Sequence, residues 1–454
     1  MELKKEFEDI ITAMPGLEAD DMLRAIRELP PVVSVRTNTG KGVAVPNGSD
    51  TVPWCPEGFY LPERRQFTFD PFFHGGRYYV QDASSMFIAH ALRQLCGQPV
   101  RYLDLCAAPG GKTTAALSAL SEDSLVVANE IVPQRARVLA DNVMRWGSPN
   151  CIVTGNAPRD LGRLNGYFDV IAADVPCSGE GMFRKEPEAV AQWTPALVAE
   201  CAGRQRSIVA DVWPALRPGG LLIYSTCTFN RQENEEMILH MMETYGAEPL
   251  EIPTSPDWGI HAAIGADFPC YRFLPHLVRG EGLFLCALRK PEHSERTAFS
   301  PRKTKAPAEP TPKEVRRWLQ SDFAFSAAGD SIIAAPTPLA PHIDYLRGQL
   351  RVLSAGVKVT EKKGKGFVPT HSLALAQGLN KEAFPAFEAD YSTAIAYLRG
   401  EAINVSADRG YVLITHRGAP LGFVNNLGNR ANNLYPKPLR IISNNTPATA
   451  PAVL

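Results

Sequence analysis

The stretch Val100-Arg101-Tyr102-Leu103-Asp104-Leu105-Cys106-Ala107-Ala108-Pro109-Gly110-Gly111-Lys112-Thr113 decides the fold. An apolar run, Val100 to Leu105, reads as a strand. It ends in a glycine-rich turn and opens into a helix. Gly110 and Gly111 let the backbone approach a ligand closely and adopt dihedrals that other residues avoid. A Walker A phosphate loop is excluded, because the glycine required five positions before Gly111 is replaced by Cys106. A GxGxxG dinucleotide fingerprint is absent as well.

Outward from this turn, strands and helices alternate. Further strands are predicted over Leu125–Asn129, Cys151–Thr154, Val170–Asp174 and Gly220–Ser225. A last one, Gly282–Leu288, follows a break. Helices are predicted between them, for instance Gln134–Trp146 and Ala196–Leu216. Such alternation implies an α/β fold with a mostly parallel sheet and helices on both faces. Ligands of such sheets bind beyond the carboxyl ends of the strands.

Two of those ends carry a cysteine. Asp174-Val175-Pro176-Cys177-Ser178-Gly179 follows the apolar run Phe168 to Ala172, and Tyr224-Ser225-Thr226-Cys227-Thr228 follows Gly220 to Ile223. Two thiols at two strand ends of one sheet can meet at one site. Asn230 and Glu233 have the spacing of a helix capping box, which predicts a helix starting just past Cys227 with its positive end favouring a thiolate.

The chain has 454 residues, 45% of them hydrophobic, enough for two to four domains with sizeable cores. Its start lacks the apolar region of a secretory signal, and no stretch approaches the roughly 20 apolar residues of a membrane helix. A cytoplasmic protein is expected. Nine cysteines without a CxxC pair argue against a disulfide framework and a structural zinc site. The net charge of −1 is unevenly spread: residues 1–290 are acidic, net −8, and residues 291–454 are basic, net +7. A basic C-terminal part suits nucleic-acid contact, and equally a solvated basic domain.

The expected organisation is an N-terminal extension over 1–99, a catalytic domain over 100–290 and a Pro-rich linker over 291–313. An intermediate α/β region (314–390), a β-rich domain (391–442) and a disordered tail (443–454) follow. Residues 46–80 give few regular signals.

Taken together, Asp104 to Thr113, the Pro176-Cys177 motif and the Thr226-Cys227 motif resemble the Sun/Nop family of RNA cytosine-5 methyltransferases. The resemblance implies a Rossmann-like class I fold that uses S-adenosylmethionine (SAM). The flanks are similar to the bacterial 16S rRNA methyltransferase F (YebU-like) branch. Val52 to Tyr60 and Gly76 to Ser85 carry this at the N-terminal end. Tyr397 to Glu401, Pro420 to Phe423 and Asn433 to Arg440 resemble its PUA-like RNA-binding domain.

What the resemblance implies can be placed on residues. Cys106, Ala107, Ala108, Pro109, Gly110, Gly111 and Lys112 are expected to line the cofactor. Glu130, at the end of the second strand, is the expected ribose ligand. Asn156 stands where the family usually has the Asp that touches adenine. Cys227 is the expected nucleophile toward carbon 6 of cytosine, Cys177 resolves the adduct, and Asp174 faces ring N3 and the cofactor edge. Lys112 is assigned to lowering a nearby thiol pKa or orienting Asp174. For RNA, the candidates are Arg36 and Asn38 in Val35-Arg36-Thr37-Asn38, Arg184 and Lys185 on a mobile lid after Cys177, and Lys437 and Arg440. Trp54, Phe59 and Tyr60 are candidates for base stacking or for the core. The expected partner is 16S rRNA or the small ribosomal subunit, with no metal, no membrane and a monomeric enzyme. The same chemistry on tRNA or another rRNA, and an RNA-binding ribosome-assembly factor, remain as alternatives.

Overall fold

The computed structural model describes residues 2–42, 44–46, 48–292, 311–320, 322–364, 366–451 and 453–454. Its centre is a nine-stranded sheet. The strands are β1 (Arg101–Asp104), β2 (Leu125–Asn129), β3 (Cys151–Thr154), β4 (Phe168–Asp174), β5 (Leu216–Thr226), β6 (Glu248–Leu250), β7 (Tyr271–Phe273), β8 (Leu283–Arg289) and β9 (Val352–Ala355). The order along the sheet is β6-β8-β5-β4-β1-β2-β3-β9, with β7 also paired to β8. From β5 to β3 all neighbours are parallel. Outside this parallel core, β8, β6 and β9 run antiparallel to their neighbours. The chain order reverses at β1, so a crevice opens beyond the carboxyl ends of β1 and β4.

The central strands are near-continuous apolar runs because both faces are covered. Along them, side chains alternate between two cores. Tyr102, Val126, Val153, Val170 and Ile223 face one, together with Phe87 and Leu92 from the helix before β1. Leu103, Val127, Ile152, Ile171 and Leu222 face the other. Each large apolar side chain so buried contributes about 1.5–3 kcal/mol. The helices α1 (Gly111–Ala119), α2 (Pro133–Trp146), α3 (Pro195–Val212) and α4 (Glu235–Tyr245) fill the crossovers. α2 opens on a proline and closes on Gly147 at φ +85°. A Cβ there would lie 2.1 Å from the Leu375 carbonyl oxygen, so the glycine also admits the C-terminal part of the chain.

Residues 46–80, poor in sequence signals, do form regular structure. Asp50–Val52, Cys55–Tyr60 and Tyr78–Val80 join Ser34–Thr37 in a four-stranded sheet. Trp54, Phe59 and Tyr60 are buried in its packing, which corrects their candidacy for base stacking. The intermediate region is not free-standing. It lends β9 to the central sheet, and Leu339, Ile343 and Leu346 of its helical segment complete the second core. Its own sheet shares a core with Leu413 and Phe423 of the β-rich domain. The tail is corrected too: Val453 is buried against Val35, Phe59, Phe67 and Tyr78. The expected linker falls mostly on residues 293–310, outside the described residues. No helix among the described residues is long and apolar enough to cross a membrane.

Candidate active site

β4 and β5 are adjacent and parallel, with Asp174 opposite Ser225 in register. The chain leaves both strands at the crevice, and the next few residues bring Cys177 and Cys227 together. Their sulfurs are 3.2 Å apart. That contact, followed by burial and the charge of Glu233, pushes the Cys177 thiol above the ordinary thiol range.

Beside the thiols lies a second pair. Lys112 Nζ, on the first turn of α1, donates to Asp174 Oδ2 at 2.8 Å. Ser225 Oγ donates to Asp174 Oδ1 at 2.8 Å. Burial opposes the lysine charge, but the Asp174 carboxylate outweighs it and holds the Lys112 pKa above its usual value, with Cys227 acting in the same direction. The lysine is therefore a fixed cation beside the thiol pair, and it orients Asp174.

The turn before α1 is held from outside. Arg135 donates to the Ala108 carbonyl at 3.0 Å, Asn142 to that of Pro109 at 2.8 Å, and the Ala107 N–H to the Asn129 carbonyl at 2.8 Å. Gly110 takes φ +111°, a conformation other residues avoid. Three carboxylates converge on the crevice from successive strand ends. Asp104 is raised to about 7, chiefly by burial, and its Oδ1 has no partner. Glu130 is buried, accepting from the Val132 N–H at 2.9 Å and lying 3.4 Å from Arg135. Asp174 is the third. Carboxylates around a glycine turn suit a ligand that presents an amine, a hydroxyl pair and a cationic sulfur. Among the described residues no group of His, Cys, Asp and Glu is placed to hold a metal ion.

Not every predicted residue falls here. Asn156 offers its carbonyl to the Arg351 N–H at 3.0 Å and its amide to the Arg351 carbonyl at 3.3 Å. Both ends of its side chain thus hold the chain that leads into β9, which corrects its assignment to a ligand's adenine. Asn230 and Glu233 are reciprocally bonded, at 2.9 and 2.8 Å. However, α4 opens only at Glu235, so they do not cap a helix at Cys227. The segment after Cys177 is not a mobile lid: Glu180 and Phe183 are buried, and Phe183 packs on Phe7 with ring centroids 5.1 Å apart.

The RNA candidates divide. Arg36 has no exposed surface. It donates to Gln81, Ser118 and Thr114, and its guanidinium lies 4.6 Å from the Trp146 ring centre. Asn38 is buried and donates to the Gly76 and Trp146 carbonyls. Arg184 is buried on Glu281 at 2.8 Å. Arg36 and Asn38 are enclosed by protein, and Arg184 is committed to Glu281 and the Gly280 carbonyl, which corrects their assignment. Lys185 is exposed, 3.4 Å from Glu281. Lys437 is exposed and Arg440 half-buried on the β-rich domain.

Sequence reasoning missed Ser225, Glu180 and the bracing use of Glu233. Only the place of Ser225, one residue before the Thr226-Cys227 motif, hinted at a role.

Comparison with known proteins adds an independent finding. The family described as 16S rRNA methyltransferase RsmB/F matches residues 97–289. The N-terminal domain of 16S rRNA methyltransferase RsmF matches residues 3–83, and the methyltransferase RsmF PUA domain matches 384–441. The ribosomal RNA small subunit methyltransferase F of Shewanella loihica is 33% identical over 412 residues, covering 86% of this chain and 83% of the relative. That of Escherichia coli O157:H7 is 33% identical over 475 residues, with 94% of each covered. Among solved structures, a methyltransferase homolog protein from Pyrococcus horikoshii superposes with a TM-score of 0.53 at 28% identity, covering 63% of this chain and 95% of that one. NSun6 from Pyrococcus horikoshii with SFG gives 0.54 at 20% identity, covering 63% and 98%.

Proposed function

Because the chain belongs to the 16S rRNA methyltransferase RsmB/F family, we propose that this SAM-dependent methyltransferase methylates carbon 5 of a cytosine in 16S rRNA through a covalent cysteine adduct. The observation that carries the reading is the sulfur pair, 3.2 Å apart beside the Lys112–Asp174 pair at the crevice.

Carbon 5 of cytosine is a poor nucleophile, and covalent addition at carbon 6 activates it. The Cys227 thiolate forms the bond to carbon 6, with Lys112 as the nearby cation that favours the thiolate. A proton shared by the Lys112–Asp174 pair is placed on ring N3 through Asp174 as electron density moves there, and it returns to the pair when the adduct collapses. SAM supplies the methyl group to carbon 5. Cys177, in contact with Cys227, takes part in removing the carbon 5 proton. The Cys227–carbon 6 bond then breaks and the aromatic ring is restored. The target base must leave its stack to reach these groups. The exposed cations Arg409, Arg417, Arg430 and Lys437 on the β-rich domain suit phosphate contacts, which position RNA without reading sequence.

The test uses Cys177→Ala protein, SAM and 30S subunits or 16S rRNA. A slow-migrating protein–RNA band on a denaturing gel that requires Cys227 is expected, and sequencing the trapped RNA locates the base. A band on tRNA but not on 16S rRNA overturns the substrate. No band on any RNA, with SAM still bound, overturns the covalent scheme.

A further inference from the structure

Two buried glutamates connect the thiol loops in a crossed pattern. Glu180 follows Cys177 in sequence, yet its carboxylate serves the loop after Cys227. Oε2 accepts the Phe229 and Asn230 N–H groups at 2.6 and 2.9 Å, and Oε1 accepts from Asn230 Nδ2 and Trp193 Nε1, both at 3.0 Å. Glu233 follows Cys227, yet serves the loop after Cys177. Its Oε2 accepts the Ser178 N–H at 3.0 Å and Gln205 Nε2 at 2.7 Å, and its Oε1 accepts Asn230 Nδ2 at 2.8 Å. The Gly181 N–H donates to the Cys227 carbonyl at 2.7 Å, and the Ser178 and Thr228 hydroxyls share a bond of 2.9 Å. The same seam is thus closed at six or more points by two short loops.

Glu180 is 1% exposed and Glu233 0%. Among the described residues neither forms an ion pair. Desolvating two carboxylates is costly. Every partner of the four oxygens is an N–H donor, so a neutral amide would turn its NH2 against a donor and the brace itself calls for carboxylates. The position of Glu233 adds a second consequence. Glu233 Oε2 accepts the N–H of Ser178, the residue after Cys177, at 3.0 Å, and shares Gln205 Nε2 with the carbonyl of Pro176, the residue before it, whereas the cation Lys112 is held at Asp174 at 2.8 Å.

We propose that Glu180 and Glu233 are positioning residues that cross-brace the two thiol loops, and that the Glu233 charge makes the sulfurs unequal by reserving the proton for Cys177. The inference rests on the thiol chemistry proposed above and deepens it. Two identical side chains in contact need different protonation states if one attacks while the other handles a proton, and opposite fixed charges supply that difference. The ionisable groups around Cys177 fit this assignment. Cys227 and Glu233 come from the second loop, and Glu180 lies behind Glu233. The Tyr224 hydroxyl of β5 donates to the Glu233 carbonyl at 2.7 Å, and Cys201 of α3 is the remaining thiol that feels the Glu233 charge. Lys112 is paired with Asp174, which Ser225 also holds.

The test reads each thiol separately. Alkylation by iodoacetamide is followed against pH by mass spectrometry, on Cys177 in a Cys227→Ser background and on Cys227 in a Cys177→Ser background. Glu233→Gln is expected to lower the Cys177 midpoint by about one pH unit and to move Cys227 by less than half as much. Glu233→Asp, which keeps the charge, restores most of the Cys177 shift. An unchanged Cys177 midpoint, or equal shifts at both thiols, overturns the assignment. Should Glu233→Gln lack a cooperative thermal transition, the parent backgrounds decide: Cys177 must titrate above Cys227, and equal or reversed midpoints overturn the proposal. Glu180→Gln tests the brace, with kcat expected to fall about tenfold at an RNA KM within about twofold; an unchanged kcat overturns it. The alkylation needs neither RNA nor SAM, so its failure is distinct from the failure to form an adduct.

Discussion

Arg36 of the N-terminal region points inward, and four cations of the C-terminal β-rich domain point outward. Arg36 is sealed beneath the Ser34–Thr37 strand, and burial lowers its pKa to about 10. Lys41 is half-buried, donating to the Gly75 and Arg145 carbonyls at 2.9 and 2.6 Å. Arg409, Arg417, Arg430 and Lys437 lie exposed on the other domain. The two regions thus use the same residue types for opposite tasks. A buried guanidinium with every strong donor engaged fixes how one part of the chain sits on another. An exposed one retains donors for a phosphate. Charge alone does not tell the two apart, and burial does.

The N-terminal region braces the turn at the crevice through Arg36 and Thr114, while the chemistry is assigned to the thiol pair; the largest expected effect checks that division. Cys227→Ala should lower methyl transfer by at least about 10³-fold and abolish the adduct, while the melting temperature stays within about 2 °C. Radioactive methyl incorporation and calorimetry give the two numbers. A comparable loss from Lys437→Ala would mean that the β-rich domain takes part in chemistry.

Arg36→Met probes the inward cation. It leaves Gln81, Ser118 and Thr114 without their shared partner and should cost about 3 kcal/mol in urea unfolding. The salt dependence of RNA binding by the folded fraction should not change. A reduced salt slope at unchanged stability would return Arg36 to the RNA surface and break the comparison.

The seam between the two regions contributes a pH dependence. His74 Nδ1 meets the Tyr435 hydroxyl at 3.0 Å, and the His371 ring packs on Tyr435 with centroids 5.0 Å apart. Burial lowers His74 to about 4 and His371 to about 3. Folded-state values below that of the unfolded chain mean that the unfolded chain binds more protons in acid. Stability is therefore full above about pH 6.5 and declines as pH falls toward 4, by roughly 1–3 kcal/mol. Urea midpoints measured from pH 7.5 to 4.5 should decline less in a His74→Gln variant. An identical decline would place the acid sensitivity elsewhere.

The smallest effect belongs to the outward cations. Arg430→Ala with Lys437→Ala should weaken RNA binding a few-fold and reduce the slope of log K against log salt by about 1–2. Stability should change by less than about 0.5 kcal/mol. An unchanged salt slope would make this face an ordinary solvated surface.

The place of the candidate site was legible where it depends on neighbours in sequence. The turn from Asp104 to Lys112, the two strand ends bearing Asp174 and Ser225, and the thiols just beyond them are local features. Strands β2 and β3 could be read to the residue, because a central parallel strand buries every position and its apolar run ends where burial ends. The edges were less legible. β9 contributes half-exposed residues as well as buried ones to the central sheet, and nothing in Val352–Ala355 announces its partner β3. The tail reads as disordered because Val453 is one apolar residue among small and polar ones, and only the pocket that receives it makes it structural.

The sequence by itself determined an α/β fold with a mostly parallel sheet, a glycine turn at one strand end, and a cysteine just past each of two others; that those two strands are neighbours came from the structure. Periodicity and strand-end chemistry are written over a few consecutive residues. Tertiary structure alone decided that Arg36, Asn38 and Arg184 are struts, that Asn156 serves Arg351, and that Glu180 and Glu233 brace each other's loops. The reason is that a polar side chain's role depends on whether water or protein satisfies it. In a folded chain that is settled by residues far away in sequence, such as Thr114 for Arg36 and Glu281 for Arg184.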